Sequence, residues 1–497
     1  MTLNLEQQHK LAKDLLAAAR AGDAPALARI QAVRSDAAGP ERPLKLADAQ
    51  LALAREAGFP SWPKLVAELQ ERDLGAFRDA VRRGDVARTE QLVALDHVRS
   101  RINDPLFDFG GRAAHMAAKN TALLAVLIAA GADLNLRSDW QNGPYTVLDH
   151  ADEDSARFLL AQGARLTPNV AARLGWFDDL ERFVEADPAV VHVRGGDGQQ
   201  PLHEAKTVAI ADYLLDHGAG IDVPCLDHRS TPAQYALADR PDVCRRLLDR
   251  GATPDIFMAA RLGDVALATR VIDASPACLA ARINEPGYPP VPPFNIYCWS
   301  LGFGLSPHAV ATKFGQRDVR EYFERRSPAR VRLLNALMAA DEPTVRQMLD
   351  DAPSLLGSLT RADHGRLAQA IFHEQFDAAD LMLRLGFDPA AEGVDGGTAL
   401  HAACWVGSVR MVERLLAHGG VPLDARDPTH KSTLLGWAAF GSNHRRARGG
   451  DYPAVAERLV AAGADITAVG NGGGMTLIQM ATGNPPMQET LRRLGAV

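Results

Sequence analysis

Gly397-Thr398-Ala399-Leu400-His401-Ala402-Ala403-Cys404-Trp405-Val406-Gly407, followed by Val409 to Leu416 and Gly419, decides the fold. The stretch reads as two short helices joined at a glycine. Thr398 caps the first helix, because a threonine hydroxyl satisfies an amide left orphaned at a helix start. Leu400 points into a core, and Ala402 and Ala403 keep the helix slim. Gly407 turns the chain, and Gly419 ends the second helix in a left-handed conformation that costs glycine nothing. Gln200-Pro201-Leu202-His203-Glu204-Ala205 and Thr231-Pro232-Ala233-Gln234-Tyr235-Ala236 open in the same way. Their prolines sit in the first turn, where a missing N–H is harmless.

The closing glycine recurs along the chain. Turns of the Gly-Ala-Asp kind begin at Gly131, Gly163, Gly218, Gly251, Gly386, Gly419 and Gly463. Their spacings are 32, 55, 33, 135, 33 and 44 residues, the last being one period plus an insertion of 11. A self-similar period of this size means stacked units, each too small to bury its own apolar face alone. The unit resembles the ankyrin repeat, T-P-L-H-x-A-A-x-x-G followed by a leucine-rich second helix. The resemblance implies an all-α ankyrin-repeat solenoid of roughly 15 helix pairs with short hairpin-like loops, built for binding more than for chemistry.

Degenerate units extend the array. Ala17 to Asp23, Asp79 to Asp85, Ala171 to Gly175 and Ala259 to Gly263 match the end of a first helix, and Ala340-Asp341 begins a further copy. Gly84, Gly175 and Gly263 lie 91 and 88 residues apart, which suggests a copied block of three units. Leu46 to Leu51 with Glu56 to Pro63, and Ser306 to Gly315 ending at Arg326-Ser327-Pro328, are similar to a family of long bacterial ankyrin proteins without established activity. The expected organisation is degenerate N-terminal repeats or cap over 1–73, repeats over 74–283, an aromatic, proline-rich inserted loop over 284–304, repeats over 305–474 interrupted at 441–452, and a C-terminal cap over 475–497.

Composition narrows the function. Of 497 residues 47% are hydrophobic, enough for burial, and the net charge of −7 offers no global field to a nucleic acid. Five scattered cysteines without a C-x-x-C fit free thiols in a reducing compartment. The N-terminus reads as an amphipathic helix, and the most apolar run, Ala122 to Ala130, falls far short of the ~18 residues a membrane span needs. A soluble cytoplasmic protein is expected, a monomer, with neither nucleic acid nor membrane as partner.

No H-E-x-x-H, G-x-S-x-G or phosphate-loop signature occurs; Gly470 to Thr476 lacks the lysine and reads as turn chemistry. His115, His203 and His401 fill the repeat's structural histidine position, and His364 and His373 are too far apart for a helical metal pair. No catalytic residue, cofactor or metal is expected.

Three features depart from a plain array. The segment 284–304 carries five prolines and the rings of Tyr288, Phe294, Tyr297, Trp299 and Phe303, which either seal a groove or form a binding finger. The insertion 441–452 carries Arg445, Arg446 and Arg448, a set able to grip a carboxylate or phosphate. Trp405, and Trp437 with Phe440 one unit later, precede the inter-helix turn on the expected concave side, so adjacent units bring them together beside those arginines. A weaker signal is the ladder Arg20, Arg82, Arg173 and Arg261. The reading is a non-enzymatic scaffold that binds another protein through its concave face and loop tips. The alternatives are an ankyrin effector exported to another cell, and a small acidic-ligand binder or enzyme at the arginine loop.

Overall fold

A computed structural model describes residues 4–34, 43–445 and 448–496. Among them every regular element is helical, and extended pairing is limited to two isolated bridges, Phe107 with Gly111 and Arg426 with Thr433. The chain divides into two compact units, residues 1–232 and 233–497.

Both units repeat one local device. A left-handed glycine closes a first helix, and the aspartate that follows caps the second. Gly84 has φ 68° and Asp85 accepts from the Arg88 amide at 3.0 Å. Gly263 has φ 70° and Asp264 accepts from the Leu267 amide at 2.8 Å. Each cap supplies an acceptor that the helix start lacks, a contribution of about 1 kcal/mol. At Ala340-Asp341 the aspartate keeps its role, accepting from Thr344 at 3.2 Å, but an alanine must take the positive φ of 53°.

In the first unit the helix Leu5–Arg20 lays Ala12, Leu15, Leu16 and Ala19 against the helices Ala24–Gln31 and Leu46–Glu56. The next helix, Trp62–Arg83, runs unbroken for 22 residues, so the expected boundary at 73/74 falls inside it. Further along, first helices shrink to a single turn, as in Ala113–Met116 and Pro201–Glu204, while second helices such as Thr121–Ala129 and Val208–Asp216 keep their length.

The arginine ladder turns out to be structural. Arg173 donates to the carbonyls of Leu148 and Ala151 at 2.8 and 2.7 Å, and Arg20 to Leu44 at 2.8 Å. In the second unit Arg261 donates to Ala238 at 3.1 Å. Arg173 and Arg261 tie their helix pairs to the preceding connection, whereas Arg20 reaches forward to the following one and Arg82 forward to the Asp108 carboxylate at 3.4 Å.

In the second unit the first helices Arg366–Phe372, Ala399–Val406 and Leu434–His444 lie side by side in that order. Small residues permit the approach, with Ala402, Ala403, Ala438 and Ala439 all buried. Leu400, Leu415, Leu435 and Leu459 complete the core, each contributing about 1.5–3 kcal/mol by burial. Upstream, Ile256–Leu262 packs on Pro307–Lys313 in the same manner. After Arg326 the succession changes. The helix Ala329–Met338 packs on Phe376–Arg384 and Arg366–Phe372, and between it and the pair Pro307–Lys313 and Arg317–Arg326 lies a cleft of about 950 Å³.

Candidate functional site

The segment 284–304 is an anchored insertion. Tyr297 is 0% exposed and donates to Asp255 at 2.9 Å, and Tyr288 accepts from the Ile256 amide at 3.1 Å. Both rings meet Phe257 edge to face, at 5.9 and 6.3 Å. Buried Asn295 donates to Gln234, which donates to the Pro290 carbonyl at 2.6 Å. Asp255 meanwhile caps its own helix through the Phe257 and Met258 amides. Burial raises its carboxyl to about 6, against four hydrogen bonds that favour the anion.

The other end of the insertion is fixed to a different helix pair. Glu285 is gripped by both terminal nitrogens of Arg366. Gln369 and Arg282 both donate to the Gly304 carbonyl. A Cβ at Gly304 would strike the Gln369 amide, so the residue there must be glycine. The five rings therefore divide: Tyr288 and Tyr297 anchor, while Phe294 is 51% and Trp299 is 55% exposed. Phe303, half-buried, meets Trp299 edge to face at 5.7 Å. The five prolines precede the one helical turn of the segment, Cys298–Gly302.

At the second insertion the rings do meet. Trp405 lies 6.2 Å from Trp437, stacks on Phe372 at 6.2 Å and approaches Phe440 at 6.1 Å. Presentation to solvent is the part that changes. Trp437 is 7% exposed and donates to Asp427 at 2.9 Å, and its ring occupies the space a Cβ at Gly397 would need. It is a buried strut of the next connection, and Phe440 is the exposed ring of the set.

The arginine loop is also reshaped. The helix Leu434–His444 continues through Gly441 to His444, residues expected in the loop. A Cβ at Gly441 would lie 2.6 Å from the Trp405 carbonyl oxygen, so only glycine lets this helix approach its neighbour so closely there. Tyr452 donates to that same carbonyl at 3.1 Å. Arg445 is largely buried in an ion pair with Glu374, and exposed Arg448 stands 3.7 Å from the same carboxylate. Arg446 lies outside the described residues. A glutamate four residues past Ala370 thus already occupies the anion position that the sequence reading left open.

The repeat histidines serve the backbone. Nδ1 of His115, His203 and His401 accepts from the Arg112, Gln200 and Thr398 amides at 3.0, 3.1 and 3.2 Å. His203 Nε2 then donates to the Ser230 carbonyl. Burial holds His115 near 4, so the ring stays neutral as its acceptor role requires. In the first unit Asp197, Asp227 and His228 place ligand atoms within 4.8 Å of one another. Tyr145 donates to Asp197 and Asn142 to Asp227, so the group reads as a lock between connections. All five cysteines are free and buried, and burial pushes the Cys244, Cys278 and Cys298 thiols up to about 12.

The cleft after Arg326 escaped the sequence reading. Arg282 and His373 line its depth, and Lys313, Arg320, Arg325 and Arg332 line its walls. The signal was a short Ser327-Pro328 connection where other pairs have a longer hairpin, with arginines on the helices either side.

Residues 395–428 match the family model of the ankyrin repeat. The chain is similar to Protein PhlB of Serratia liquefaciens, 34% identical over 80 residues, which is 16% of this chain and 35% of that protein. The chain thus spans about a third of the length of the curated relative it matches. No described helix is long and apolar enough to cross a membrane.

Proposed function

We propose that the chain is a non-enzymatic ankyrin-repeat scaffold of about fifteen helix pairs that binds another protein, with the aromatic insertion as its principal contact. The observation that carries the reading is the division of labour within 284–304. Two tyrosines and the Asn295 amide are consumed in anchoring, and Phe294 and Trp299 are left half-exposed on a fixed support. Large rings held in place lose little entropy on binding and dominate interface energetics. Phe440, at the second insertion, extends the same chemistry with a smaller exposed area. Buried free thiols suit a reducing, cytoplasmic setting.

The test is affinity capture from the native lysate, wild type beside Phe294→Ser/Trp299→Ser, with mass-spectrometric identification and melting curves. A protein retained by wild type alone, at unchanged melting temperature, supports the reading. Equal recovery by both baits overturns the placement.

A further inference from the structure

The cleft after Arg326 is a concave space of about 950 Å³, near the upper end of the range occupied by small-molecule sites. Five basic side chains line it against three carboxylates, Glu324, Asp341 and Asp351. Asp341 is committed to capping its helix through Thr344. Glu324 sits half-buried, where burial raises its carboxyl above the ordinary range against the pull of the Arg320 and Arg332 charges, but it makes no direct ion pair with either.

The buried residue is Arg282. It is 7% exposed, and only one terminal nitrogen is bonded, to the Gly304 carbonyl at 2.9 Å and the Gln369 side-chain oxygen at 3.2 Å. Both acceptors are neutral. The nearby carboxylate, Glu285, is held by both terminal nitrogens of Arg366, and no carboxylate among the described residues lies within ion-pair distance of Arg282. A guanidinium buried without a counter-charge is strongly unfavourable, and it persists where something else supplies that charge. On the walls, Arg320 and Arg332 form no ion pair or side-chain hydrogen bond with any described residue. Lys313 leans on the Leu301 carbonyl at 2.6 Å, again a neutral partner.

We propose that this cleft is a binding site for a small organic oxyanion carrying two or more phosphate or carboxylate groups, one paired with Arg282 at depth and others with Arg320 and Arg332 on the walls. Ala336, Met338 and Met348 give the site an apolar side for the ligand's carbon body. An acidic segment of a partner protein is the competing occupant. The depth of Arg282 favours the small molecule, since a compact anion reaches a buried guanidinium more readily than a side chain projecting from a folded partner. The site is independent of the aromatic insertion's exposed rings, so either reading can fail without the other.

The experiment is isothermal titration of the full chain at low salt with three probes: tripolyphosphate, citrate and an octaglutamate peptide. Saturable binding of tripolyphosphate or citrate is expected, and which of the two binds decides between phosphate and carboxylate. Arg320→Gln/Arg332→Gln should weaken that binding at least about tenfold, as loss of charge-assisted contacts implies. Neither wall residue makes a direct ion pair with a described residue, so the variant keeps its melting temperature. Arg270→Gln/Arg317→Gln, with the same charge removed elsewhere, should bind as wild type does. No saturable binding of either small anion, binding of octaglutamate alone, or equal weakening in both double variants would overturn the proposal.

Discussion

Within residues 233–497 one junction between helix pairs is sealed and another is open, though both are built from helices of similar length. Between Ala399–His418 and Leu434–Ala461 the approaching faces carry Ala402, Ala403, Ala438 and Ala439, and Trp437 closes the outer edge. Between Pro307–Arg326 and Ala329–Asp351 the facing positions carry Arg320, Arg325 and Arg332, and a cleft remains. The difference teaches that the repeat motif by itself does not guarantee stacking. Small residues on the facing side decide it, because guanidinium groups must keep water or an anion beside them. Where the stack opens, the insertion 284–304 takes over the joining task by gripping Arg366 and Gln369.

The largest effect should come from removing the strut of the sealed junction. Trp437→Ala is expected to cost about 3–5 kcal/mol in urea unfolding, the range for a buried aromatic truncated to alanine. Trp299→Ala, which removes an equally large but exposed ring, should stay within about 0.5 kcal/mol. Equal losses would dissolve the distinction between buried strut and exposed contact.

Next is the anchor of the insertion. Tyr297→Phe takes a donor from buried Asp255 and should cost about 1–3 kcal/mol. The loss should depend on pH. The Asp255 carboxyl rises from 3.8 to about 6 on folding, so its contribution is fully present below pH 3.8 and is lost as pH climbs through 6. Without the tyrosine the anion is less well held, and the gap between variant and wild type should widen from acidic to neutral pH. Melting curves of both proteins across that window check it. His115 and His308 titrate the other way: each is lowered from 6.5 to about 4, so stability present above 6.5 falls as pH drops toward 4. Comparing variant with wild type at each pH cancels their contribution.

A smaller gain is expected at the cap beside the cleft. Ala340 holds a positive φ of 53° in the position glycine fills at Gly84, Gly175 and Gly263. Ala340→Gly should stabilise by about 1 kcal/mol, read from the urea midpoint, as relief of left-handed strain outweighs the added freedom of the unfolded chain. The smallest effect belongs to Arg320→Gln/Arg332→Gln, within about 0.5 kcal/mol, because solvent-accessible charges without a direct ion pair carry little stability.

The sequence made the local device legible because it is written in residues with one mechanical use. Glycine followed by aspartate marks the end of one helix and the cap of the next, and this held at Gly84-Asp85 and Gly263-Asp264. Adjacency of Trp405 and Trp437 was readable from the same period, since equivalent positions in neighbouring units must approach. Their exposure was not, because it depends on Asp427 and Gly397, residues outside the helix that carries Trp437. Arg445 was misleading for a similar reason: its counter-ion, Glu374, lies 71 residues earlier. The cleft was the least legible feature. An absent contact leaves no motif, and the burial of Arg282 depends on Gly304 and Gln369, far along the chain.

The central claim is that stacking is complete at the sealed junction and interrupted after Arg326. Amide hydrogen exchange of the full chain, followed by peptide mass spectrometry, tests it most directly. The helix Ala399–Val406 is covered by helices on both sides, and Ala329–Met338 borders the cleft. Exchange in Ala329–Met338 should be at least about tenfold faster than in Ala399–Val406, as local opening follows local packing. Equal protection of the two helices would mean the cleft is closed in solution, and would contradict the account.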